Sequence, residues 1–231
     1  MLKIFLLPIS TTYTLFDGQF ELFLPKNRFI RLHSFIHDSD KKNCLLSYLF
    51  VCFCLWKTYN IDYDDLIFDR LDNKKPFLVS HPNIHFNLSH TKGFICCAIS
   101  DKACGIDVET CTNALPEIID IAFSASEKKF ISTLDKSSVS YNYNFYKIWT
   151  LKEAYTKQLG TGLFTNFSEI NTLSDYIKNN SYTFQKDKYI ISIYYNVNES
   201  VSSDRTDFLS NTQSFKEEDI YNYFLSLDAL N

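Results

Sequence analysis

The chain has 231 residues, 45% hydrophobic and 22% charged, with a formal net charge of -4. That composition supports a buried core and excludes a disordered chain. The acidic balance argues against nucleic-acid binding through overall charge, which calls for strongly basic domains. The length suits one large core or two small ones of roughly 110 residues each.

The opening run, MLKIFLLPIS, ends at Pro8 without a small-residue cleavage site, and so predicts a strand over 3–8 rather than a signal peptide. A polar segment carrying Arg28 and Arg31 leads into a predicted helix over 40–59. Its apolar stretch 45–56, LLSYLFVCFCLW, falls short of the ~18 residues that suggest a membrane span and predicts a buried helix. Asp72, Asn73 and Pro76 mark a turn-rich stretch, followed by predicted strands at 77–80, 85–88 and 94–100. Of the seven cysteines, Cys52, Cys54, Cys96 and Cys97 lie in apolar segments, where a thiol acts as a small hydrophobe. The odd set predicts no disulfide framework and a reducing cytoplasm.

The second half opens on a strand across CGIDVE, 104–109, then a helix over 115–123. Ser124 and Glu127 form a capping-box pattern that starts another helix. A longer helix is predicted over 144–159, stopped by Gly160, and strands at 181–185 and 188–195 share a turn. The tail from 198 on suggests little beyond a final helix or strand. Each half therefore holds strands plus one long helix. This predicts an α+β fold of two similar lobes, 1–103 and 104–231, although no direct sequence repeat accompanies them. Four of the five glycines, Gly93, Gly105, Gly160 and Gly162, flank segments of chemical interest.

On the strand 104–109, Asp107 and Glu109 project to one face and Ile106 and Val108 to the other. Two adjacent carboxylates form half a cation site, because a hard divalent ion relieves their repulsion; they equally suit an exposed strand end. On the helix, Trp149, Glu153 and Lys157 lie four apart in one stripe, either as a surface ion pair or as an inward-facing acid and base behind an aromatic. In KKPFLVSHPNIHFNLSH, 74–90, the spacing of His81, His85 and His90 does not suit zinc. Ser89 and His90 can donate hydrogen bonds to a phosphate, with Lys75 adding local positive charge.

Taken in order, FNLSH at 86–90, GIDVE at 105–109 and WTLKEAYTK at 149–157 resemble the motif set of the 4′-phosphopantetheinyl transferases, in their larger two-lobed form named for surfactin synthesis. The resemblance implies an α+β fold of two lobes related by a pseudo-twofold, with the active site in the cleft between them. It implies transfer of phosphopantetheine from coenzyme A to a serine of an acyl or peptidyl carrier domain, releasing adenosine 3′,5′-bisphosphate. By resemblance Asp107, Glu109 and Glu153 ligate magnesium, and Lys157 stabilises the pyrophosphate and leaving group. Ser89 and His90 contact phosphate, and Arg28, Arg31 and Lys75 hold coenzyme A. Glu153 is the expected base for the carrier serine, with Glu127 as the other carboxylate to consider; Lys152 either binds phosphate or faces solvent. Where relatives carry Arg then Thr or Ser, this chain has Asn43 and Cys44, which shifts the 3′-phosphate toward Lys41 or Lys42; the glycine usual before the Lys-Pro pair is Lys74. The competing readings are a metal-dependent phosphohydrolase and a non-catalytic carrier-binding relative. With both lobes in one chain a monomer suffices, and no membrane or nucleic-acid partner is expected.

Overall fold

The computed structural model describes residues 1–71, 75–161, 165–196 and 210–228. Asp72, Asn73, Lys74 and Gly162, singled out above, lie outside the described residues.

Two sheets, each backed by one long helix, form the molecule. The first has the order β4-β5-β1-β9, with β1 (Leu2–Pro8), β4 (His85–Thr91), β5 (Phe94–Ser100) and β9 (Thr212–Ser214). The second has the order β6-β8-β7, with β6 (Cys104–Thr110), β7 (Ser181–Lys186) and β8 (Tyr189–Tyr195). A separate hairpin pairs β2 (Phe68–Arg70) with β3 (Pro76–Leu78).

Strand alternation explains how the layers stack. In β1, Phe5 and Leu7 enter a core shared with helix α3 (Asp38–Tyr59), while Leu2, Ile4 and Leu6 face the second sheet. β5 does the same with Cys97 against Cys96, so all seven of its residues are buried. Ile106, Val108, Ile191 and Ile193 complete this second core, which joins the two sheets face to face. The α+β, two-lobed architecture thus follows from two sheets that each bury one face on a helix and the other on each other.

Helix α3 is apolar on all sides and buried from Lys42 to Leu55, as expected of a helix packed on every face. Asn60, at φ 55°, ends it in the left-handed conformation. Its counterpart α6 (Val139–Leu159) starts five residues before the predicted 144 because Ser138 caps it, accepting from Tyr141 N–H; Gly160 at φ 76° ends it. Between them lie α4 (Pro116–Ala122) and α5 (Ala125–Ile131), the latter with the predicted capping box at Ser124 and Glu127.

Three features differ from the sequence reading. The polar segment holding Arg28 and Arg31 is helix α2 (Lys26–Ser34), in which only Leu32 is buried. A short helix α1 (Leu15–Gly18) precedes it, and α7 (Asp175–Asn179) precedes β7. The last described segment does not stay with 104–210: β9 pairs parallel with β1, and helix α8 (Glu217–Asp228) buries Ile220, Tyr221, Tyr223 and Phe224 in the core around α3. Its driving force is aromatic burial, with Tyr223 stacked on Trp56 at 4.6 Å and Tyr221 on Phe20 at 4.4 Å.

All seven cysteines are free thiols. Burial pushes Cys52 up to about 12 and Cys104 up to about 11, as inert core thiols. Among the described residues no helix is long and apolar enough to cross a membrane.

Candidate active site

The sequence positions supply a cluster that draws on both sheets. β4 sends Phe86 and Leu88 into the core around α3, leaving Asn87 and Ser89 on the other face, toward β6. β6 buries Ile106 and Val108 between the sheets, which turns Gly105, Asp107 and Glu109 toward α6. On α6, Trp149, Glu153 and Lys157 line the facing stripe.

Lys157 closes a three-way contact. Its ammonium donates to Asp107 Oδ1 at 2.5 Å and to Ser89 Oγ at 2.9 Å, and the Ser89 hydroxyl donates to the same Oδ1 at 2.7 Å. The hydroxyl hydrogen of Ser89 is thereby committed to the acid. Asp107 is only 4% exposed, yet its second oxygen, Oδ2, is buried without a hydrogen-bond partner. An unpaired buried carboxylate oxygen is costly and marks a position suited to a ligand or cation.

The neighbouring acids feel the same charge. Burial and then Asp107 push Glu109 up to about 7, and Glu153 adds to this against the pull of Lys157 and Trp149. Burial followed by Asp107 also raises Glu153. Burial would lower Lys157, but the Asp107 and Glu153 carboxylates outweigh it and hold the ammonium above its ordinary value.

Among the described residues, no three His, Cys, Asp or Glu side chains form a ready-made group that could hold a metal ion. Lys157 stands at Asp107 instead. The donor chemistry nevertheless fits a hard cation: oxygen ligands, mutual repulsion that raises two of the three acids, and one unpartnered carboxylate oxygen.

The basic candidates flank this cluster unevenly. His90 is exposed; partial burial, then the charges of Lys157 and Arg31, hold its ring below the ordinary value. Arg31 lies over the Phe35 ring and Arg28 over the Tyr48 ring, at 5.8 and 5.3 Å. Arg28 also borders a cavity of about 180 Å³ with Ser47, Asp69, Arg70 and Phe86. Lys75 donates to the Gln158 carbonyl at 3.0 Å, tying the first lobe to the C-terminal turn of α6.

Two residues depart from their sequence reading, and Glu127 keeps the structural one that its capping box gave. Lys42 is buried and paired with Asp17 and Glu217, at 2.5 and 2.7 Å, so it is not offered to a 3′-phosphate. Lys152 neither faces solvent nor reaches a phosphate: it is 0% exposed, pairs with Glu127 at 2.7 Å and donates to the Phe167 and Ile170 carbonyls. Glu127, also 0% exposed, accepts from Thr172 N–H and O–H at 2.7 Å each and from Ser124 N–H. Every oxygen of Glu127 is engaged in structure, which removes it as a base.

Three acids on β6 and α6, with the Lys157 ammonium paired to Asp107, lie where the two sheets meet, a class of site suited to an anion held with a hard cation. Comparison with known proteins narrows this class. A family model described as the 4′-phosphopantetheinyl transferase superfamily matches residues 103–209, and one described as 4′-phosphopantetheinyl transferase, N-terminal, matches 16–102. The chain belongs to the 4′-phosphopantetheinyl transferase superfamily. It is 32% identical over 135 residues to a 4′-phosphopantetheinyl transferase of Bacillus subtilis, covering 56% of this chain and 57% of that protein. With 4′-phosphopantetheinyl transferase Sfp of Bacillus subtilis strain 168 the identity is 30% over 147 residues, covering 64% and 65%. With the L-aminoadipate-semialdehyde dehydrogenase-phosphopantetheinyl transferase of Rattus norvegicus it is 27% over 149 residues, covering 58% and 47%. The matched part thus spans about half to two thirds of these relatives.

Proposed function

We propose that this chain transfers the 4′-phosphopantetheine of coenzyme A to a serine of an apo acyl or peptidyl carrier domain, giving holo carrier and adenosine 3′,5′-bisphosphate. The observation that carries the reading is the unpartnered Asp107 Oδ2, on an acid that pairs with Lys157 and whose charge raises Glu109 and Glu153, in a chain whose relatives are named for this transfer.

In the reaction, the serine Oγ bonds to the phosphorus that bears pantetheine, and the bond from that phosphorus to the departing adenosine bisphosphate breaks. Glu153 takes the serine proton, directly or through a water. Lys157 spends two N–H groups on Asp107 and Ser89, and its third serves the pyrophosphate and leaving group. His90 offers a ring N–H to a phosphate oxygen. Ser89 holds Asp107 in place, while Arg31, whose charge is felt at His90, and Arg28, at its cavity, bind the phosphates and nucleotide of coenzyme A. Lys75 supports the same ligand from the α6 terminus. Asp107, Glu109 and Glu153 would hold magnesium, which when bound neutralises charge on the attacked and departing phosphates.

The protein would act as a monomer in a reducing cytoplasm, in keeping with free thiols and a site supplied by one chain. Incubating an apo carrier with coenzyme A and magnesium should add about 340 Da by intact mass, the phosphopantetheine increment. No addition across several carriers would sink the transferase reading.

A further inference from the structure

We infer that Asn87 is a positioning residue for the transfer, holding β6 so that Asp107 and Glu109 stand at the correct height in the cleft. The inference rests on the transferase reading above for its catalytic consequence.

β4 and β6 are end strands of two different sheets, and neither pairs with the other through its main chain. What joins them is a row of side chains from alternate β4 positions. Asn87 Oδ1 accepts the Ile106 N–H at 2.8 Å, the Ser89 hydroxyl donates to Asp107, and Thr91 meets Thr110 at 3.4 Å. Asn87 is the only one of these three that grips the β6 backbone. It does so at the residue between Gly105 and Asp107.

That position matters because the main chain of β6 pairs on one side only, with β8. Gly105 lets β6 lie against the α6 backbone but offers no side chain across to β4. A displacement of β6 along β4 would break the Lys157, Ser89 and Asp107 contact and carry Glu109 with it, two residues further on. The Asn87 bond opposes that displacement directly at the residue preceding the acid.

The residue type fits the task. Asn87 is 7% exposed, so its carbonyl replaces water as the partner of an N–H that would otherwise be buried unpaired. A serine is too short to reach, and a leucine matches the volume but cannot accept. An aspartate keeps the acceptor while adding charge beside acids that already repel.

The test compares Asn87→Leu with Asn87→Asp, reading amide hydrogen exchange at Ile106 together with kcat, the KM for coenzyme A and the magnesium concentration for half-maximal rate. In Asn87→Leu, Ile106 exchange should accelerate and kcat fall about tenfold or more, the order of loss that small misplacements of catalytic groups produce. The magnesium requirement should rise. Asn87→Asp should restore the exchange protection and recover part of kcat. A folded Asn87→Leu with wild-type kcat, or with Ile106 exchange unchanged, overturns the inference. Should that variant not fold, Asn87→Ser carries the same expectations. Wild-type protein inactive on every carrier would instead overturn the transferase reading, and with it the catalytic role of Asn87, while the exchange data would still decide the contact to Ile106.

Discussion

A Cβ on Gly105 would stand 1.9 Å from the carbonyl oxygen of Ala154 and 2.7 Å from the backbone nitrogen of Gln158. Strand β6 therefore runs directly against the α6 backbone, bringing Asp107 within reach of Lys157. Gly105→Ala must push the helix away and shift Glu153 and Lys157 with it. Destabilisation of about 3 kcal/mol is expected, as for overpacking at a close contact that cannot relax. A urea titration measures it, and an unchanged midpoint would contradict the close packing.

Glu109 gives a pH signature. Its folded value, about 7, lies above the ordinary 4.5, so the folded state holds the proton more tightly than the unfolded chain. Its contribution to stability is fully present below 4.5 and is lost as pH rises through 7. Without metal, the melting temperature of the wild type should fall relative to Glu109→Gln across that window. Magnesium should recover more of the wild-type loss above the window than below it, where protonated acids cannot ligate. Parallel melting curves for the two proteins would rule this out.

The buried pair of Glu127 and Lys152 should govern stability rather than turnover. Lys152→Met strands a carboxylate that is fully buried among Ser124 and Thr172, at a cost of about 3–5 kcal/mol. Turnover of the folded fraction, measured well below the melting temperature, should stay within about threefold of wild type. Loss of turnover in a well-folded Lys152→Met or Glu127→Gln protein would make Glu127 a candidate base again.

What the sequence reveals depends on how local the deciding contacts are. Asp107 and Glu109 share a face through the two-residue period of a strand, and Glu153 and Lys157 share one through the turn of a helix; both patterns are readable. The Ser124 and Glu127 capping box is equally local. Helix α2 escapes notice because Phe29 and Ile30 point outward, leaving only Leu32 buried to signal an apolar face. The return of the tail is invisible for another reason: β9 finds its partner in β1, across almost the whole chain. Lys42 and Lys152 mislead for the same reason, since the acids Asp17, Glu217 and Glu127 that bury them are remote in sequence. Asn87 lies inside a legible motif, but its partner is a backbone N–H that no pattern names.

Lys42 offers the sharpest separation of a ligand role from a structural one. Its ammonium meets Asp17, Glu217 and the Tyr221 hydroxyl, and so fastens both α1 and α8 to α3. Asp17 accepts further bonds from Thr14 and Tyr221; although burial opposes it, the Lys42, Tyr221 and Thr14 contacts hold its carboxyl below the ordinary range. Lys42→Met keeps much of the buried stem but leaves Asp17 without its cation, costing about 3 kcal/mol or more in a denaturant titration. The KM for coenzyme A should not change, because the ammonium is turned into the first lobe and its partners are all protein. A rise in that KM at unchanged stability would place Lys42 at the nucleotide and undo the structural assignment.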